Sequence, residues 1–113
     1  MRTIIVLSFL IFSSPVWAGV SEDIYQAMWN IMLDCGKYTV IANEQNISTS
    51  TDKDAILDWF RDKGATPTEI NALSSAWNAS AETARFGNNK DVNFSKLEKT
   101  LEACETATRK GKR

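Results

Sequence analysis

Apolar residues recur at intervals of three and four along four separate stretches of the chain, which is the spacing of one face of an α-helix. The alternation of apolar and polar residues that marks a β-strand is nowhere sustained. Short polar segments and the glycines Gly64 and Gly87 separate the stretches. We therefore predict an all-α protein that forms a small, irregular four-helix bundle.

Capping residues set the limits of the four predicted helices. The clearest signal is Thr66-Pro67-Thr68-Glu69, which combines a capping hydroxyl, a proline at the first helical position and the glutamate of a capping box. The predicted limits are the cap residue Ser21 to Asn43 or Glu44, Thr51 or Asp52 to Gly64, Thr66 to Phe86, and about Asn93 onwards.

The first and last helices each have an apolar row that we expect to face inward. On the first helix this row consists of Ile24, Ala27, Met28, Ile31, Cys35, Tyr38 and Ala42. On the last helix it consists of Phe94, Leu97, Leu101, Cys104 and Thr108. Each cysteine therefore lies on the inward face of its helix, where the two ends of a disulfide between packed helices must be.

Residues 1–18 have the pattern of a secretory signal peptide. Arg2 precedes an apolar run, and Val16 and Ala18 occupy the positions three and one before a cleavage point. An uncleaved membrane anchor is the alternative, but the apolar run is only about half of the ~20 residues that span a bilayer. We expect cleavage after Ala18, no stable membrane insertion afterwards, and one helical domain over residues 19–113 with a short basic C-terminal tail.

Export to the bacterial periplasm or out of the cell would place the two cysteines in an oxidising compartment. Cys35 and Cys104 are the only cysteines, so one pairing is possible. The chain has no histidine to complete a tetrahedral metal site. A redox-active pair is also disfavoured, because the two are 69 positions apart. With free thiols as the remaining alternative, we predict a structural disulfide between helices 1 and 4, and expect no metal and no cofactor.

The positions of the cysteines raise a geometric question. In a regular up-down-up-down bundle helices 1 and 4 are antiparallel, so Cys104, about five residues before the end of its helix, faces the beginning of helix 1. Cys35 is instead about 14 residues into helix 1, roughly 20 Å from its start. Either helix 1 is broken near Gly36 or helix 4 crosses it at an angle, and we favour the irregular arrangement.

Charge and composition exclude several classes of function. The chain has 13 Lys and Arg against 14 Asp and Glu, a net charge of −1, and loss of Arg2 would make it −2. A nucleic-acid-binding domain is usually basic, so we expect no nucleic-acid partner. The usual pairs of nucleophile and base need a histidine or a free thiol, so we do not expect an enzyme.

Helix 1 has a second apolar row that is the first candidate for partner binding. It consists of Trp29, Leu33 and Val40 with Gly36 between them, and lies more than about 100° from the first row. One packed layer cannot cover both rows. Either helix 1 lies between other helices, or Trp29 and Leu33 form an exposed patch, which would suit a protein partner because aromatic anchors dominate binding energy.

Charged residues provide three further candidates, each with an ordinary alternative. On helix 2 an aspartate recurs every four residues, at Asp54, Asp58 and Asp62. This row is either an acidic face for a basic partner or a solvated helix face. The tail, residues 109–113, is basic and either contacts an anionic polymer or complements the helix end.

Paired carboxylates of a glycosidase are possible on helix 4, although acids interleaved with lysines usually form an ion-paired surface. These acids are Glu98, Glu102 and Glu105.

These features favour a protein that acts by contact with a protein partner in the periplasm or outside the cell, such as an immunity protein or an inhibitor. A periplasmic stress chaperone, which exposes apolar surface to unrelated clients, is the second hypothesis. A cell-wall-acting enzyme is the third.

Overall fold

The computed structural model describes residues 19–87, 89 and 92–112. They form the helices α1 (Glu22–Glu44), α2 (Lys53–Asp62), α3 (Pro67–Phe86) and α4 (Phe94–Gly111). These ranges contain no strand, and none of their helices has the length and apolar character of a membrane span. The all-α class and all four helices are confirmed, whereas the predicted signal peptide, residues 1–18, lies outside the described residues.

Each helix begins at the side-chain cap that the sequence indicates. The caps of α1 to α4 are Ser21, Asp52, Thr66 and Asn93, and each side chain accepts a backbone N–H of the first turn. At α3 the bonding is reciprocal: Glu69 N–H donates to Thr66 Oγ1 at 3.1 Å, and Thr66 N–H donates to Glu69 Oε1 at 2.8 Å. The predicted capping box is therefore confirmed.

The order of the helices around the bundle differs from their order along the chain. α1 packs most extensively against α3, and α2 against α4. Smaller contacts of α1 with α4 and of α2 with α3 close the ring, and within the described ranges α3 and α4 are not in contact. A regular up-down bundle would instead pair helices that follow one another in sequence. The predicted irregular bundle is thus confirmed.

α1 and α3 run in the same direction. Gly36, near the middle of α1, lies against the backbone of Trp77, near the middle of α3. Just beyond α3, the side-chain amide of Asn89 donates a hydrogen bond of 2.7 Å to Glu44 Oε1 at the end of α1. The C-terminal ends of α1 and α3 therefore lie at the same end of the molecule.

The predicted disulfide joins α1 to α4, with the Cα atoms of Cys35 and Cys104 5.7 Å apart. α4 runs antiparallel to α1, since Leu97 and Leu101 pack against Ile41 near the end of α1. Cys35 lies nine residues before the end of α1 and Cys104 ten residues after the start of α4. The cysteines are therefore level when α4 begins beside the end of α1. Because α1 is continuous, the alternative of a break near its middle is wrong.

The alignment of α4 along α1 also determines which of the predicted inward positions are buried. On α4 the prediction is confirmed at the four residues Leu97, Leu101, Cys104 and Thr108. It is wrong at Phe94, which is 56% exposed because α4 begins level with the end of α1. On α1 it is wrong at Ile24 and Ala27, which are exposed. Because Cys104 lies beside Cys35 and the two helices are antiparallel, the last residue of α4 lies beside about residue 28 of α1. α4 therefore does not extend far enough to cover Ile24 and Ala27.

Candidate functional site

The second apolar row of α1 faces α3. At Gly36 the two backbones are so close that an added Cβ would lie 2.6 Å from the Trp77 carbonyl oxygen. The Leu33 carbonyl accepts a hydrogen bond of 2.5 Å from Ser80 Oγ, and Val40 is only 9% exposed. α1 therefore lies between α3 and α4, and most of this row is used for packing within the molecule.

Trp29 and Leu33 keep part of their side chains at the surface. Both are half-buried and pack against the largest core cluster. Trp29 also contacts the ring of Tyr25, with centroids 6.1 Å apart. Partner binding by Trp29 and Leu33 stays a prediction. Val40 is a core residue in this fold, packed against Ala81 and Ala84, and offers almost no surface to a partner.

The predicted acidic row of α2 lies at the surface. Asp54, Asp58 and Asp62 are all exposed. Asp58 forms an ion pair with Arg61 one turn further on, with both side chains more than half exposed. Exposed pairs of this kind contribute at most about 1 kcal/mol. α2 has only slight contact with α1.

The basic tail belongs to the fold as far as Lys112. Lys110 Nζ lies 5.2 Å from the centre of the Trp59 ring, and Lys112 Nζ lies 3.6 Å from Asp52 Oδ2 at the start of α2. These contacts fasten the end of α4 to α2, and the positive charges complement the C-terminus of α4. Arg113 lies outside the described residues.

The three glutamates of α4 line a groove between this helix and the segment that follows α1. We call it the α4 groove, and its volume is about 720 Å³. Its apolar lining consists of Ile47, Phe94, Leu97 and Leu101. Its charged lining consists of Glu98, Lys99, Glu102 and Glu105. The sequence therefore placed these glutamates correctly on one face, and the structure adds the apolar surface beside them.

Hydrogen bonds fix the wall of the α4 groove that lies opposite α4. This wall is the segment between α1 and α2. Glu105 Oε2 accepts one bond of 3.0 Å from Thr49 Oγ1 and one of 3.1 Å from Ser50 N–H. The N–H of Ile47 donates to the Ala42 carbonyl at 2.8 Å. The segment between α1 and α2 is thus tied to both helices, and the groove has its shape in the unbound protein.

Two phenylalanines are exposed at the end of the molecule where α3 finishes and α4 begins. Phe86, the last residue of α3, is 83% exposed, and Phe94, the first residue of α4, is 56% exposed. We call this end of the molecule the aromatic end; the two rings belong to helices that are not in contact with each other within the described ranges. The third large exposed apolar side chain in the described ranges is Ile24, 50% exposed, in the first turn of α1 at the opposite end.

The sequence prediction missed the aromatic end. Phe94 has the spacing of the inward row on α4, and Phe86 was assigned only as the last residue of its helix. The sequence did contain a signal of exposure, because both phenylalanines lie at a helix terminus. Phe86 directly precedes Gly87, and Phe94 directly follows Asn93. Neighbouring helices cover a side chain least at such positions, so apolar spacing there is a poor guide to burial.

A second cavity, of about 320 Å³, lies over the disulfide and is lined by Trp59, Ile31 and Lys110 among others. Cys35 and Cys104 also line it, although each is at most 2% exposed. Both cysteines are in the disulfide, so neither is a thiol available for nucleophilic attack. Within the part of the chain that the structure describes, no group of three or more His, Cys, Asp or Glu residues could hold a metal ion.

Comparison with known proteins adds no functional lead: no protein-family model, no curated protein and no solved structure matches this chain. A functional assignment therefore rests on the side chains themselves. Three features distinguish the described part of the molecule. They are a disulfide-linked helical scaffold, an exposed aromatic end, and the α4 groove, which has an apolar floor and an acidic rim and lies beside the aromatic end.

Proposed function

We propose that this chain is a periplasmic or secreted binding protein that acts by contact with another protein, as an immunity protein or an inhibitor does. The observation that carries the proposal is the aromatic end, where Phe86 and Phe94 are 83% and 56% exposed. Exposed phenylalanines contribute little to the stability of the free domain. Aromatic side chains that a partner buries are among the largest contributors to binding energy.

The scaffold supports this proposal. The disulfide between Cys35 and Cys104 ties α4, which begins at Phe94, to α1. A surface that is fixed before binding loses less conformational entropy when a partner docks. Disulfides persist in oxidising compartments, which agrees with the export expected from the leader pattern of residues 1–18.

A stress chaperone is the second candidate, and one observation favours it. Ile24 is half exposed at the opposite end of the molecule from Phe86 and Phe94. Apolar side chains at both ends would suit a protein that holds unrelated unfolded clients rather than one partner. Such a protein would suppress the aggregation of several unrelated proteins, whereas a specific binding protein would not.

Site-specific photo-crosslinking in the native host tests the proposal. A photoreactive phenylalanine analogue replaces Phe86 or Phe94 in the full chain, and the same analogue replaces Thr68 or Asn71 in control variants. The control residues are exposed at the start of α3, away from the aromatic end. We expect one discrete adduct with a different polypeptide at positions 86 and 94, and none at the control positions.

Three other outcomes contradict the proposal. Adducts with many polypeptides, together with suppression of aggregation by the purified protein, would identify a chaperone. Adducts only between copies of this chain would identify self-association. The absence of any adduct at positions 86 and 94 would contradict binding through the aromatic end.

A further inference from the structure

We infer that the α4 groove binds a cationic amphipathic segment of the partner protein, with an apolar row flanked by lysine or arginine. This inference rests on the proposed function and names the chemistry of the partner. It depends on three properties of the groove, which are its apolar floor, the sign of its charge, and its fixed shape.

The apolar floor makes the groove continuous with the aromatic end. Phe94 belongs to both surfaces. Leu97 and Leu101, which line the groove beyond it, are 1% and 6% exposed and belong to the core cluster that α1 and α4 share, so the accessible apolar surface comes mainly from Phe94 and the half-buried Ile47. An apolar side chain that enters the groove would therefore cover Phe94 and rest on residues that are already packed. This arrangement suits an anchor residue of a partner.

The charged lining indicates the sign of the charge that the partner segment carries. Glu98 and Glu102 are exposed and lie one turn apart, about 6 Å along α4. Lys99 is the one cation in the lining, against three glutamates. The lining thus has an excess of negative charge, which favours a cationic partner and disfavours anionic segments, nucleic acids and anionic lipid.

The shape of the groove suits a short helical or extended segment. From Phe94 to Glu105 the lining follows α4 for about 16 Å, roughly three helical turns. The opposite wall is fixed by the bonds from Thr49 and Ser50 to Glu105. A partner would therefore meet a preformed surface and not a segment that must first be ordered.

A second copy of this chain is a less suitable occupant. Its own cationic segment lies at the end of α4, where Lys112 is 3.6 Å from a carboxylate oxygen of Asp52 and Lys110 lies over Trp59. To occupy the groove of another molecule, that segment would first have to leave α2.

Binding of a synthetic peptide to the disulfide-bonded protein tests the inference. The probe is an amphipathic helix of leucine and lysine with the length of α4, 18 residues. The matched control peptide carries glutamate in place of every lysine. Fluorescence anisotropy of the labelled peptides gives the dissociation constants, and circular dichroism confirms that each protein variant is folded. We expect the lysine peptide to bind, and to bind more weakly as salt is added.

Variants locate the binding site of the lysine peptide. Glu98→Gln and Glu102→Gln should each weaken binding about threefold, the usual effect of one exposed ion pair. Phe94→Ala should weaken it about tenfold, because it removes the apolar anchor. Asp62→Asn, which removes an exposed carboxylate on α2, and Phe86→Ala, which removes an exposed ring outside the groove, should leave the dissociation constant unchanged.

The outcomes separate this inference from the proposed function. Equal binding of both peptides, no binding of the lysine peptide, or unchanged binding by all three groove variants would overturn the inference. The proposed function would still stand if cross-linking gives adducts at positions 86 and 94. Peptide binding as expected without such adducts would support the groove chemistry and contradict the proposed function. A dimer that Phe94→Ala dissociates would show that a second copy fills the groove, and would overturn the inference.

Discussion

Gly111 lies so close to Ala55 that a Cβ at Gly111 would be 1.6 Å from the Ala55 carbonyl oxygen. This contact brings the last turn of α4 onto the first turn of α2. A hydrogen bond of 2.9 Å from Asp52 N–H to Thr108 Oγ1 reinforces it one turn earlier in α4. The end of α4 therefore has a structural role, although its basic sequence alone resembles a solvated tail.

Gly111→Ala should destabilise the protein. Alanine usually favours a helix over glycine by about 1 kcal/mol, but here its methyl group would overlap a backbone carbonyl that cannot rotate away. We expect the free energy of unfolding to fall by at least about 2 kcal/mol. Urea unfolding followed by circular dichroism measures it.

A chain that ends at Lys110 is the matched control for Gly111→Ala. It loses the ion pair between Lys112 and Asp52 but contains no methyl group that overlaps Ala55. Because Gly111→Ala can avoid the overlap by releasing the residues that this chain lacks, the two variants should have similar free energies of unfolding. Equal or greater stability of Gly111→Ala relative to the unaltered protein would show that α2 and α4 are not this close.

The same substitution at two threonines should have opposite effects. Thr108 Oγ1 is buried, donates to the Cys104 carbonyl at 2.9 Å and accepts from Asp52 N–H. Thr108→Val should lower the free energy of unfolding by about 1–3 kcal/mol, because the N–H of Asp52 loses its acceptor. Thr39 Oγ1 on α1 is buried without a hydrogen-bond partner. Thr39→Val should raise the free energy of unfolding by about 1 kcal/mol.

Thermal and urea unfolding of the two valine variants measure the difference. Thr108→Ser provides the control, because serine keeps the hydroxyl and should lose less stability than valine at the same position. A destabilising effect of Thr39→Val, or equal effects of Val and Ser at position 108, would contradict the hydrogen bonding described above.

The helices could be predicted from the sequence because they depend on local information, and the disulfide because the chain has only two cysteines. Capping involves residues three positions apart, such as Thr66 and Glu69, and their side chains interact whatever the rest of the chain does. The two cysteines allow only one intramolecular pairing. Apolar spacing also showed correctly that α1 has two rows to cover.

The order of the helices and the aromatic end could not be predicted in this way. The spacing of an apolar row shows which side of a helix is covered, but does not show which helix covers it. The close approach of Gly36 to Trp77 selects α3 as the neighbour of α1, yet in the sequence Gly36 is only a glycine within a helix. Phe94 is exposed because of where α1 ends, which is a property of the assembled bundle.

The disulfide should supply a large share of the net stability. It closes a loop of 69 residues, for which chain entropy in the unfolded state predicts about 4 kcal/mol. Reduction of the unaltered protein should shift the urea midpoint downward accordingly. The double variant Cys35→Ala and Cys104→Ala should be somewhat less stable than the reduced protein, since it also removes two buried sulfur atoms. An unchanged midpoint after complete reduction would show that packing alone fixes α1 against α4.

Glu105→Ala should loosen the segment between α1 and α2. The change removes the carboxylate that accepts from Thr49 Oγ1 and Ser50 N–H, while alanine keeps the helix propensity of α4 high. Amide hydrogen exchange at Ser50 should accelerate, and the free energy of unfolding should fall by about 1 kcal/mol. Glu102→Ala, on the exposed surface of the same helix, provides the control and should leave exchange at Ser50 unchanged. Equal exchange rates in both variants would show that Glu105 does not hold this wall of the α4 groove.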